Sequence, residues 1–117
     1  MFKVIIAGSR DFSDYNFLKE KLDHLLKNID DDIEIVSGTA RGADRLGEAY
    51  AIERNYRIAQ FPADWNGLGL SAGYRRNEDM ARYANACVVF WKNNSKGSKH
   101  MIDISQKYNL KLRIYNC

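Results

Sequence analysis

The segment Ser37-Gly38-Thr39-Ala40-Arg41-Gly42 concentrates glycines, hydroxyls and a guanidinium immediately after the apolar run Ile33-Glu34-Ile35-Val36. Glycines where a buried strand meets a helix let backbone N–H groups approach an anion, and the helix N-terminus adds roughly half a positive charge. Ser37 and Thr39 would donate hydroxyl hydrogen bonds, and Arg41 would hold phosphate oxygens in a fork. The same spacing also suits a tight turn in which glycine serves only the backbone. Gly8-Ser9-Arg10 repeats the pattern after the first apolar run, with Arg10 either a second clamp or a surface charge. Gly97-Ser98 repeats it before the last helical stretch. Gly73-Tyr74-Arg75-Arg76-Asn77 adds adjacent arginines at an expected helix start, where they oppose the helix dipole unless an anion or an acidic neighbour (Glu78 or Asp79) relieves them.

Other chemistries find less support. Neither G-x-x-x-x-G-K-[ST] nor G-x-G-x-x-G occurs, which argues against a P-loop NTPase and an ordinary dinucleotide dehydrogenase. Cys87 and Cys117 have no metal-ligand spacing, so no metal and no cofactor are expected. Asp11, Asp44 and Asp64 are the carboxylates available for acid/base or nucleophilic work. Asp44 is the best placed of them, although a carboxylate at a helix start also simply suits the dipole. Trp65, Tyr74 and Trp91 are candidates for stacking on a base, with core packing expected for at least one.

The elements that must position these residues alternate. Apolar runs at 2–7, 33–36, 56–61, 86–91 and 111–115 read as strands. Stretches at about 14–29, 43–54, 74–83 and 99–108 read as helices, the first capped by Ser13 or Asp14. Residues 63–73 read as loop, with glycines suited to a lid. Alternating strands and helices imply an α/β, three-layer, Rossmann-like domain: a parallel sheet of about five strands with helices on both faces. In such a sheet the loops leaving the strands' carboxyl ends share one edge, where ligands bind. The candidates all fall on that edge, whereas Asp30-Asp31-Asp32 falls on the opposite one and reads as a solvated turn.

The chain has 117 residues, enough for one domain over 1–117 with one core. A net charge of +3 is too small to indicate nucleic-acid binding by itself, so cations gathered on one rim suit a small anionic ligand better. No apolar stretch is long enough to span a membrane, and a cytoplasmic location is expected.

Four segments resemble the YspA-like branch of the SLOG superfamily, which includes the Lonely Guy phosphoribohydrolases and DNA-processing protein A. They are Ala7-Gly8-Ser9-Arg10-Asp11-Phe12, Ser37 to Asp44, Phe61-Pro62-Ala63-Asp64-Trp65 and Gly73 to Met80, in the expected order. The resemblance implies a Rossmann-like fold binding nucleotides or their derivatives, a bacterial or phage source, and homo-oligomers. It maps Ser37, Gly38, Ala40, Gly42 and Asp44 onto the phosphate loop of the DNA-processing relatives. Arg76 and Asn77 fall on an Arg-Lys pair of the Lonely Guy enzymes, and Gly97-Ser98 on a remnant of Gly-Gly-x-Gly-Thr-x-x-Glu. The glutamate of that motif corresponds to Met101, whose thioether can neither ionise nor form a glycosyl ester. The expected function is therefore binding or sensing of a nucleotide-derived ligand without that chemistry. The alternatives are a hydrolase using another carboxylate, and single-stranded DNA binding.

Overall fold

The computed structural model describes residues 1–117, with the side chains of all but Leu68 and Leu70. The chain runs β1 (Phe2–Gly8), α1 (Tyr15–Leu26), β2 (Ile33–Ser37), α2 (Ala43–Arg54) and β3 (Arg57–Gln60) through its first half. It continues as α3 (Trp65–Leu68), a 3-10 turn (Gly69–Ser71), α4 (Ala72–Tyr83), β4 (Ala86–Trp91), α5 (Lys96–Lys107) and β5 (Lys111–Asn116). The sheet order is β3-β2-β1-β4-β5 and every pairing is parallel, the doubly wound α/β arrangement expected.

Alternation along β1 explains the two buried faces. Val4 and Ile6 point into one core with Leu18, Leu22 and Leu26 of α1 and Tyr50 and Ala51 of α2. Ile5 and Ala7 point into the other with Met80 and Ala81 of α4 and Met101, Ile102 and Ile104 of α5. A central parallel strand buried on both faces thus reads as a continuous apolar run, as Val4-Ile5-Ile6-Ala7 does. Asp14 begins α1, its carboxylate accepting the Phe17 N–H at 3.1 Å.

Two boundaries differ from expectation in ways that matter for the site. The stretch 63–73 is not simply loop. Asp64 accepts the Gly67 N–H at 2.9 Å and starts the single turn of α3, and α4 then begins at Ala72. Arg75 and Arg76 consequently lie a turn inside α4 rather than at its start. Helix α5 begins at Lys96, so Gly97 and Ser98 belong to its first turn instead of preceding it.

Candidate functional site

Strand order reverses between β1 and β4, and there the loops leaving the two strands part to leave a crevice. It is a cleft of about 510 Å3. The first loop supplies Gly8, Arg10 and Asp11; the segment after β2 supplies Ala40, Arg41 and Asp44. Met80, Arg76 and Asn77 come from α4, and Lys92, Asn93, Ser95, Gly97 and Ser98 from the far side. A second hollow of about 410 Å3 adjoins it, bounded by Gly38, Thr39, Pro62, Ala63 and Trp65. Arg10, Ala40, Arg41 and Arg76 line both.

The turn after β2 is held from several sides. Thr39 has φ +65°, a left-handed conformation that a β-branched residue adopts only when its surroundings compel it. Ser37 Oγ accepts the Thr39 N–H at 3.1 Å and donates to Glu48 Oε2 at 2.6 Å. Arg76 Nη1 donates to the Gly38 carbonyl, and a Cβ on Gly38 would stand 2.8 Å from both Arg76 Nη1 and Asp44 Oδ2. Gly42, at φ +83°, sits where a Cβ would be 2.6 Å from the Arg10 carbonyl oxygen. Glycine is therefore required at Gly42 by close backbone approach and by conformation, whereas a Cβ at Gly38 would displace the ends of the Arg76 and Asp44 side chains.

These contacts correct part of the expected anion cradle. The Thr39 N–H is taken by Ser37, and the Ala40 N–H is donated to Asp44 Oδ2 at 3.1 Å. Ser37 braces the turn, its proton directed at Glu48 instead of a ligand. A carboxylate already occupies the place beside Ala40 that an anion would have taken.

Asp44 is buried, and that desolvation pushes its pKa up to about 6, against the opposing pull of Arg76 and the Ala40 N–H. Burial in turn pushes the Arg76 guanidinium below its usual range, with Asp44 acting in the other direction. Arg76 Nε donates to Asn77 Oδ1 at 2.9 Å, which turns the Asn77 amide nitrogen toward His100 Nδ1 at 3.1 Å. Burial holds the His100 pKa below its usual value, which favours the neutral imidazole that an Nδ1 accepting from the Asn77 amide requires.

On the β4 side, Ser9 Oγ bonds the Lys92 backbone at 2.7 Å, and Ser95 Oγ lies 3.1 Å from Ser9 Oγ and 2.6 Å from Ser98 Oγ. This hydroxyl chain ties the β1 loop to the start of α5. Ser95 is the N-cap of α5 but makes no side-chain capping bond, so among the described residues no side chain satisfies the first-turn amides of a helix whose Gly97 and Ser98 line the cleft.

The structure brings Gly8, Arg10, Gly38, Thr39, Ala40, Arg41, Arg76, Asn77, Gly97 and Ser98 to the two hollows. Ser9, Ser37 and Gly42 support them from behind. Arg75 is exposed and lines neither, and Glu78 is paired instead with Arg82 at 2.6 Å. Lys92, Asn93 and Ser95 join the lining although no motif marks them. Asp11 also lines the cleft and accepts from Asn93 at 2.7 Å; Asp64 only caps α3. Met101 is fully packed in the core, and Asp103 pairs with Lys99 at 2.6 Å. Asp31 on the opposite edge binds the N-terminal ammonium at 2.8 Å. Among the described residues no group of His, Cys, Asp or Glu could hold a metal ion, and no helix is long and apolar enough to cross a membrane.

Three comparisons bear on this arrangement. The family model described as YspA, cpYpsA-related SLOG family matches residues 2–67, the segment that carries the β1 and β2 loops. Gene 61 protein of Mycobacterium phage D29 is 31% identical over 113 residues, covering 92% of this chain and 90% of the relative. Among solved structures, DNA processing protein A from Helicobacter pylori, described for its single-stranded DNA binding mode, superposes with a TM-score of 0.70 at 20% identity. That match covers 97% of this chain but only 64% of the other, so the chain spans about two thirds of the larger protein.

Proposed function

The chain belongs to the YspA, cpYpsA-related SLOG family, and on that premise we propose that it binds or senses a nucleotide-derived, phosphate-bearing ligand at the carboxyl edge of its sheet. The observation that carries this is the uncapped first turn of α5 opening onto a cleft lined by Arg10, Arg41 and Lys92. Free helix-terminal amides and nearby cations are complementary to a phosphate. Arg41 and Arg10 stand where both hollows meet, so they neutralise the anion wherever the ligand crosses between them. Arg76 is committed to the Gly38 carbonyl and to Asn77; it shapes the site and adds charge without being free to fork. A phage or bacterial setting fits the phage relative.

A thermal-shift screen of nucleoside phosphates, ADP-ribose and cyclic signalling nucleotides tests this, each mixture then being analysed by mass spectrometry. A ligand at a hundred times its Kd adds about 2.7 kcal/mol, a rise of roughly 10 °C for a chain of this size. A shift with the ligand intact supports a binding protein. A cleaved ligand would instead make Asp44, a carboxyl able to hold a proton near neutral pH, the candidate acid. No shift with any of them overturns the proposal.

The second reading is single-stranded DNA binding, favoured by the structural relative. It predicts affinity for oligonucleotides that falls steeply with salt, by about 0.7 in log–log slope per phosphate neutralised, whereas a mononucleotide gives a shallow dependence.

A further inference from the structure

We propose that Trp65 is the stacking platform for the nucleobase of the ligand, so that the smaller hollow holds the base while the larger cleft holds the phosphate. This deepens the phosphate-binding reading above and rests on it. Three aromatic side chains lie near the carboxyl edge, and their surroundings separate them. Trp91 packs against the α4–α5 core and donates its indole N–H to the Ser95 carbonyl at 3.1 Å. Tyr74 is 52% exposed, but its ring is already 4.3 Å from that of His100. Trp65 is 51% exposed, and among the described residues its ring has no aromatic partner and its N–H no protein acceptor.

The ring is nonetheless carried on a braced turn. Asp64 caps the turn that carries it, Pro62 restricts the chain leading in, and Gly73 leaves room on α4 for its far edge, with Cη2 only 3.4 Å from where a Cβ would be. A large apolar surface kept exposed on a braced backbone suits a partner that covers it. Trp65, Pro62 and Ala63 line the 410 Å3 hollow together with Arg10, Arg41 and Arg76, so a ring lying on the indole shares the hollow with cations. Continuity with the larger cleft through Arg10, Ala40 and Arg41 selects the occupant: a flat aromatic group covalently joined to a phosphate. A free nucleotide and a nucleotide within single-stranded DNA both offer that chemistry.

The test is calorimetry and tryptophan emission on wild type, Trp65→Ala and Trp65→Phe, titrated with the four nucleoside 5′-monophosphates, ribose 5-phosphate and a short oligothymidylate. Trp65→Ala should weaken mononucleotide binding at least about fivefold while changing ribose 5-phosphate affinity less than about twofold. Base binding should quench wild-type emission, and Trp65→Phe should lose the quench. The same pattern with oligothymidylate alone supports the platform and assigns DNA as the source. If Trp65→Ala binds mononucleotides like wild type, or loses sugar phosphate equally, the platform is overturned and the phosphate site survives. If neither ribose 5-phosphate nor any nucleotide or oligothymidylate binds, the platform is overturned, and the phosphate site falls with it when the ADP-ribose and cyclic nucleotides of the wider screen also fail to bind. Trp65→Ala changing oligomeric state while leaving nucleotide affinity intact overturns the platform in favour of a self-association surface.

Discussion

At the residue scale the molecule keeps costly features where its cleft is. Asp44 is a carboxylate held out of water, and its stability contribution has a defined sign. Its folded pKa of about 6 lies above the ordinary 3.8, so the stability it confers is fully present below about pH 4 and is lost as pH rises through 6. Above that point the ionised form costs on the order of 3 kcal/mol. Asp44→Asn keeps an oxygen for the Ala40 N–H without the charge. It should match wild type in chemical denaturation at pH 4 and exceed it at pH 8; equal stability at both values would show that Arg76 fully compensates the carboxylate. Asp44 was visible in the sequence as a carboxylate at a helix start. Its burial was not, because that depends on Arg76 arriving from α4, 32 positions later in the chain. Thr39 is the sharper case: nothing in a threonine forecasts a left-handed backbone, which here follows from the tertiary clamp on Gly38 and Ser37.

At the element scale, two helices differ in what their glycines do. Gly47 lets α2 press onto β1: a Cβ there would stand 2.7 Å from Ile6 Cβ, and Ile6 is wholly buried. Gly47→Ala gains about 1 kcal/mol of helix propensity. It also forces overpacking that costs about 1–3 kcal/mol, so the midpoint of urea unfolding should fall. Gly97 has open space around it in the first turn of α5. Gly97→Asp should hold or raise the melting temperature, since an acidic residue there suits the dipole by about 0.3–1 kcal/mol. It should also abolish nucleotide-induced thermal shifts by placing a carboxylate where the phosphate belongs; an undiminished shift would move the anion elsewhere. Strands and helices were legible from periodicity, and α2 and β4 to the residue, because buried parallel strands and amphipathic helices carry strong patterns. The starts of α4 and α5 were not. The first follows a turn capped by Asp64 and the second begins after Ser95, which makes no side-chain cap, so neither has the local signal that marks Asp14 for α1.

At the scale of the whole molecule, a net charge of +3 conceals a rim of Arg10, Arg41, Arg76 and Lys92 on one edge of the sheet. The edge was foreseeable from the α/β alternation alone; the Ser9–Ser95–Ser98 chain across it was not, since it joins hydroxyls more than 80 positions apart. The strand order has a further consequence. Within the sheet, β1, β2 and β3 lie on one side of the β1–β4 seam and β4 and β5 on the other, and the chain crosses once, through the segment of α3 and α4 between β3 and β4. A chain nicked between Gln60 and Trp65 would therefore yield two pieces that meet along the β1–β4 pair and through both cores, each carrying part of the binding cleft. Such pieces should reassemble as a split protein whose recovery is driven by the small molecule that bridges them. Fused to the halves of a reporter, they would turn ligand concentration into signal.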